Sequence, residues 1–310
     1  MTDEALPIET AFEGEPGQLV TLSPLVRRMT APNPGPMTFK GTNTYVVGHG
    51  AVTVIDPGPD LPEHVAALTA ALAGERVARI LVTHTHRDHS PASRALAAAT
   101  GAPIIGCAPH HPFRAPHPDE AERADAANDL AYVPASVLAD GDAVEGDGYT
   151  LQAVATPGHT MNHLAFALPQ ERALFSGDHV MAWSTTVVAP PAGSMAAYMA
   201  SLDKLKTRDD VVYWPGHGGA VRDPARFLRA LQHHRRQRER GILACLRRGE
   251  ATIPGIVAAT YEGLDPRLAR AAAVSVLAHL EDLCARGLAT AEGGPGVTAR
   301  YAAAEPQQPA

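Results

Sequence analysis

The sequence predicts a layered α/β domain followed by a small helical module, and three observations carry that prediction. Short β-branched runs alternate with Ala-rich helical stretches through the first two thirds of the 310 residues. The strand-like runs end in short Gly- or His-bearing turns, where layered α/β folds place their chemistry. From about Val221 the chain shifts to arginine-loaded helical segments closed by a short hairpin.

Taken in order, Asn43 to Val47 and Val52 to Ile55 are apolar runs separated by Gly48-His49-Gly50, which predicts a hairpin. Asp56-Pro57-Gly58-Pro59 stops the second run. A helix is expected from Pro62 to Ala73, capped by Asp60 and ended by Gly74, and then a strand from Ala78 to Val82. Ser90 is the expected N-cap of a second helix, with Pro91 at its first position and Gly101 at its end. Pro109 to Asp129 reads as a polar insertion with a helix-like stretch after Asp119-Glu120. Strands resume at Tyr149 to Ala155, Leu164 to Leu168, Ala173 to Phe175 and Val211 to Tyr213.

Arg226 to Arg248, Ile253 to Tyr261 and Pro266 to Arg286 then predict three helices, and the chain after Gly287 a wing ending at Tyr301. The expected organisation is an N-terminal segment 1–18, poorly ordered or extended, a layered domain 19–222, a winged-helix-like domain 223–302 and a disordered tail 303–310. No stretch approaches the roughly 18 uncharged apolar residues needed to span a bilayer, and the start is acidic, so no membrane partner and a cytoplasmic location are expected. Cys107, Cys245 and Cys284 lie too far apart for a thiolate zinc cage or a disulfide framework. With a formal net charge of −7, any polyanion site would have to be a local patch.

The most informative run is Thr83-His84-Thr85-His86-Arg87-Asp88-His89, directly after a strand. A divalent metal needs several imidazoles or carboxylates converging at about 2.0 to 2.2 Å, and residues i and i+2 of an extended segment face the same way. His84 and His86 can therefore grip one ion, while Asp88 and His89, where the chain turns, can point at a second. The remaining ligands must come from distant segments. Three turns supply candidates: Pro157-Gly158-His159, Gly177-Asp178-His179 and Pro215-Gly216-His217, each with a glycine that lets backbone approach closely.

These residues resemble the full ligand set of the metallo-β-lactamase superfamily, over roughly Leu19 to Arg222. Asn33-Pro34-Gly35-Pro36-Met37, Gly41-Thr42-Asn43-Thr44-Tyr45 and Gly177-Asp178-His179-Val180-Met181 resemble its β-lactamase-like protein 2 branch, whose members carry a C-terminal winged helix. The resemblance implies an αββα sandwich with a dinuclear site at one edge. It places His84, His86 and His159 on a first metal and Asp88, His89 and His217 on a second, with Asp178 bridging. Asp88 and Asp178 are the expected catalytic carboxylates. Zinc is favoured by the imidazole-rich set, while manganese or iron fits several relatives.

The implied chemistry is metal-dependent hydrolysis by a shared hydroxide, with no side-chain nucleophile. The expected substrate is a thioester or small ester. The alternatives are single-stranded RNA, held by the arginine-rich helix, and a non-catalytic winged-helix protein that binds DNA or a second subunit. The oligomeric state is left open, a dimer included. His163 is expected to steady a metal ligand through a hydrogen bond, Asn43 to shape the floor of the site, and Ser184 and Thr185 to line the mouth. His179 is read as structural, His110, His111 and His117 as a surface loop, and His233-His234 as exposed.

Overall fold

The computed structural model describes residues 6–117, 120, 126–261 and 263–304. Seven strands, β1 (Val20–Thr21), β2 (Val26–Thr30), β3 (Asn43–Val47), β4 (Ala51–Ile55), β5 (Arg76–Val82), β6 (Ile104–Gly106) and β7 (Ser136–Val137), form one sheet in chain order. A second sheet runs β12 (Val212–Pro215), β11 (Ala173–Gly177), β10 (Leu164–Leu168), β9 (Thr150–Ala155) and β8 (Ala143–Glu145). The side-chain period of two sorts each strand between two cores. Tyr45, Val47, Leu164, Phe166 and Leu168 fill the space between the sheets, whereas Val46, Ala165 and Ala167 face outward under helices. Both faces are therefore covered, which is why these strands read as continuous apolar runs rather than alternating ones.

Helices α1 (Pro62–Ala71) and α2 (Ala92–Thr100) pack on the outer face of the first sheet through Leu68, Leu72 and Leu96. On the other side, α3 (Met195–Leu205) and α4 (Pro224–Arg247) cover the second sheet through Tyr198, Leu202, Phe227 and Leu231. The result is the four-layered αββα sandwich. Burying a side chain the size of Phe166 or Leu168, each fully inside, contributes about 2 kcal/mol.

Two expected caps are corrected. Asp60 does not cap α1, whose N-cap is Leu61 without a side-chain bond, and the helix stops at Ala71. Pro91, not Ser90, stands at the N-cap of α2. The Ser90 hydroxyl instead donates to the buried Asp129 carboxylate at 2.9 Å, which Arg94 also pairs, and this stronger acceptor takes it from the helix end. Gly101 ends α2 in the left-handed conformation, φ 73°, as its type suggests.

The C-terminal part contains α5 (Ile253–Thr260), α6 (Ala269–Ala285) and a hairpin of β13 (Ala289–Ala291) with β14 (Tyr301–Ala303). They enclose a core of their own around Ile242, Ile256, Val276, Leu280 and Tyr301. Helix α4 serves both cores. Phe227, Leu228 and Leu231 pack on the sandwich, and Ile242, Cys245 and Leu246 pack on the module. Strand β14 runs through Ala303, where the tail was expected to begin, and residues 305–310 of that tail lie outside the described residues. The helix-like stretch expected after Asp119-Glu120 falls largely on residues 121–125, also outside them. Residues 6–13 run along the surface without regular structure, and Glu9 N donates to Ala182 O. Among the described residues no helix is long and apolar enough to cross a membrane.

Candidate metal centre

The sandwich brings the C-terminal ends of four strands and the turn after a fifth to one edge. Strand β5 delivers His84 to His89, β9 leads into His159, β11 into Asp178 and β12 into His217, while β4 ends at Asp56. Parallel pairing of β4 with β5 and of β11 with β12 is what places these exits side by side. Close approach is needed here. A methyl group at Gly216 would sit 2.5 Å from Asp178 Oδ1 and 2.6 Å from the His89 ring.

Seven side chains converge in two groups. In the first, His86 Nδ1 lies 3.1 Å from His84 Nε2 and 3.0 Å from His159 Nε2. In the second, His217 Nε2 lies 3.3 Å from His89 Nε2 and 3.1 Å from Asp88 Oδ2. Asp178 spans both, with Oδ1 3.4 Å from His89 Nε2 and Oδ2 3.4 Å from His217 Nε2 and 3.7 Å from His159 Nε2. The ligand atoms of His84, His86, His159 and Asp178 lie within 4.8 Å of one another, as do those of Asp88, His89 and His217. A third grouping, Asp56 with His84 and His89, meets the same spacing. Its carboxylate is already engaged by Thr83 N, Thr83 Oγ1 and His89 Nδ1, so Asp56 supports the others rather than joining them.

The outward-facing nitrogens fix which atoms point inward. Thr83 Oγ1 gives its only hydrogen to Asp56 at 2.7 Å, so at 2.9 Å it must accept from His84 Nδ1. His159 Nδ1 donates to Val187 O at 2.7 Å, His89 Nδ1 to Asp56 Oδ2 at 3.0 Å and His217 Nδ1 to Gly41 O at 3.2 Å. In the neutral rings each Nε2 then carries a lone pair aimed at its neighbours. Nitrogens facing one another at these distances without hydrogens repel unless a cation lies between them. Asp178 Oδ1 is buried without a hydrogen-bond partner. Orphaned acceptors and converging lone pairs fit metal ions, and a cluster of this composition is suited to binding them.

Electrostatics sort the two groups. Burial holds the His84, His86 and His159 rings neutral, with His86 pushed down to about 3, and the neighbouring imidazoles His89, for His84, and His159, for His86, add to it. For His217 burial pushes the same way, but Asp178 and Asp88 outweigh it and carry the ring up to about 9. His89 is raised well above its ordinary value by the same two carboxylates. Burial opposes ionisation of Asp178, yet His217 and His89 hold it well below the usual carboxylate range.

Other expected residues fall as follows. His163 is buried, with Nδ1 2.7 Å from Thr156 Oγ1 and Nε2 accepting from Asp178 N at 3.2 Å, so it holds the Asp178 backbone. Asn43 donates to Pro215 O and Gly218 O, pinning the turn that carries His217. Ser184 Oγ reaches only Thr185 O. The hydroxyl that ties this segment to Asp178 belongs to Thr186. His179 is buried against the Tyr198 ring, and neither of its nitrogens has a partner. His110, His111 and His117 join neither group, and His117 Nε2 meets Pro295 O. His233 and His234 were expected to be exposed; both are half-buried, because α6 packs against their helix.

Asp56, Thr83, Thr186 and Thr42, whose hydroxyl meets Asp88 Oδ2 at 3.4 Å, were not singled out from the sequence. For Asp56 a signal was present: an acidic residue ending a strand next to the histidine-bearing one. Its φ of 49° is a conformation non-glycine residues seldom adopt.

Comparison with known proteins adds the following. Residues 37–217 match the family model described as the metallo-beta-lactamase superfamily, and residues 252–297 match the beta-lactamase associated winged helix domain. The chain is 33% identical over 273 residues to the beta-lactamase-like protein 2 homolog of Caenorhabditis elegans, covering 86% of each. It is 32% identical over 232 residues to an atrochrysone carboxyl ACP thioesterase of Aspergillus fumigatus, covering 73% of this chain and 66% of that one. A beta-lactamase domain protein from Burkholderia ambifaria has the same fold, with a TM-score of 0.77, 23% identity and coverage of 94% and 96%.

Proposed function

The chain belongs to the metallo-β-lactamase superfamily, in the branch that carries an associated winged helix, and on that premise we propose that this metal-dependent hydrolase holds two zinc ions and cleaves a thioester or small ester. The observation that carries the reading is the pair of ligand groups sharing Asp178. His84, His86 and His159 would hold one ion and Asp88, His89 and His217 the other. Five imidazoles with two carboxylates suit a borderline ion such as zinc. Bound there, two divalent ions supply Lewis-acid polarisation of the scissile carbonyl and a lowered water pKa.

The chain's own residues supply the rest. Asp56 fixes the His89 ring and, through Thr83, the His84 ring. His163 and Thr186 hold Asp178 from its N–H and C=O sides, and Thr42 steadies Asp88. No side-chain nucleophile is used. Cys107, the nearest thiol in sequence, is fully buried, and burial pushes its pKa up, away from thiolate.

Thioester cleavage is supported by the fungal acyl-carrier thioesterase among the relatives. The test is one panel: an acyl thioester, a lactone, single-stranded RNA and a β-lactam, each with and without chelator. The thioester is expected to turn over fastest and to stop with chelator. A faster β-lactam, or chelator-insensitive turnover, would contradict the reading.

The raised His217 and His89 predict a pH signature for metal uptake. Below about 9 the metal-free His217 ring holds a proton that a metal must displace. Loading zinc into the chelator-stripped protein in weak buffer at pH 7.5 is therefore expected to release protons. Zinc affinity should rise with pH and level off near 9. Uptake without proton release would show that these rings are neutral in the metal-free protein.

A second reading, RNA cleavage, is favoured by one observation. The sequence suggests arginines all around the long helix, but Arg226, Arg229, Arg236, Arg240 and Arg247 are exposed at spacings of three, seven, four and seven residues. At 100° per residue they share one face about 30 Å long, on a chain of net charge −7. RNA outrunning the thioester in the panel, with a rate falling steeply as salt rises, would put this reading first.

A further inference from the structure

We propose that Arg235 is a positioning residue through which the C-terminal module holds the bridging carboxylate of the metal centre; this rests on the metal-centre reading above. Arg235 lies at the middle of α4, between the turns packed on the sandwich and those packed on the module. Its side chain points inward. It is 4% exposed, lies over the Tyr198 ring at 5.1 Å, and Nη2 donates to Thr186 O.

Thr186 is the hinge of the arrangement. Its hydroxyl donates to Asp178 O at 2.7 Å and lies 3.1 Å from His179 O, and the next carbonyl, Val187 O, accepts from His159 Nδ1 at 2.7 Å. Tyr198, beneath the guanidinium, donates to His179 O at 3.0 Å. One peptide segment thus orients both Asp178 and His159, and Arg235 fastens that segment from behind. A second tether runs parallel to it. Phe113 N donates to Pro191 O, and the neighbouring Arg114 pairs with Glu281 on α6.

The position has no obvious packing rationale. Methionine would fill similar space without burying a charge, and Arg235 Nε has no hydrogen-bond partner although it is buried. A buried guanidinium that leaves one nitrogen unsatisfied while bonding the segment behind the ligands does more than fill volume. It makes the geometry of the site depend on α4, the helix shared by the two cores.

The test uses the full chain with Arg235→Met, Arg235→Lys and Thr186→Val. Zinc affinity is read by chelator competition, the visible spectrum on the cobalt-substituted protein, and thermal unfolding on the metal-free protein. Arg235→Met is expected to weaken zinc binding about 10- to 100-fold, as loss of a supporting hydrogen bond does, and to shift the cobalt bands, with metal-free unfolding within a few degrees of the parent. Arg235→Lys, which keeps a donor for Thr186 O, should recover most of the affinity. Parent affinity and parent cobalt spectrum in Arg235→Met would overturn the proposal, whatever its stability. Should that variant fail to fold, Thr186→Val decides: weakened zinc binding supports the link, and parent affinity overturns it. A parent protein that takes up no ion would instead overturn the metal-centre reading itself.

Discussion

Asp178→Asn is expected to lower turnover at least about a hundredfold and to take the metal content from the proposed two ions per chain towards one. The substitution keeps the shape and removes what the position supplies. Asp178 Oδ2 faces imidazole nitrogens of both groups, His217 at 3.4 Å and His159 at 3.7 Å, while Oδ1 lies 3.4 Å from His89. An amide leaves one oxygen and presents N–H hydrogens to lone pairs that should face a cation. It also removes a negative charge that holds His217 and His89 in their cationic form in the metal-free protein. Elemental analysis and steady-state kinetics on the same preparation check the prediction.

Asp56→Asn is expected to cost about 2 to 4 kcal/mol of metal-free stability and to weaken zinc binding about 10- to 100-fold, although Asp56 touches neither ion site directly. Its carboxylate accepts three hydrogen bonds while almost fully buried: Thr83 N at 2.8 Å on Oδ1, and Thr83 Oγ1 at 2.7 Å and His89 Nδ1 at 3.0 Å on Oδ2. An amide can be turned either way and always sets an N–H against a donor. With the amide nitrogen at Oδ2 the Thr83 hydroxyl and the His89 ring both lose their acceptor; with it at Oδ1 the Thr83 backbone does. Once the Thr83 hydroxyl is free to rotate, the His84 tautomer is released as well, so one substitution loosens a ligand in each group. Urea unfolding in the presence of chelator measures the first effect, and zinc competition the second. An unchanged urea midpoint would show that the Asp56 network adds nothing to the fold.

These two positions also mark what the sequence could and could not reveal. Asp178 was legible because a metal needs converging side chains, and a glycine-flanked carboxylate after a strand joins the HxHxDH run as one pattern. The strands were legible for a similar reason: Asn43 to Val47 and Leu164 to Leu168 are buried on both faces, so their composition alone marks them. Asp56 was read only as a strand stop. Its place at the end of a strand was visible, but its role depends on β4 pairing beside β5, which is a tertiary fact. Ser90 failed as a cap for the same reason, since its hydroxyl is claimed by Asp129, distant in sequence. Helix α4 looked like a separate basic module because its arginines dominate the composition, while Phe227, Leu228 and Leu231 quietly join it to the sandwich.

The relation between the two cores bears on how the protein is built to work. A helix that spans both, with a buried arginine at the crossing, means that the C-terminal module is not a free appendage of the sandwich. Its exposed arginine face and its inward-facing Arg235 lie about 120° apart around the same helix. The outer side faces solvent, and the inner side contacts the segment that holds Asp178 and His159.

The most direct measurement is anomalous diffraction at the zinc edge from crystals of the zinc-loaded protein. Two peaks are expected, one among His84, His86 and His159 and the other among Asp88, His89 and His217, with Asp178 beside both. A single peak, or density away from these side chains, would contradict the two-ion reading.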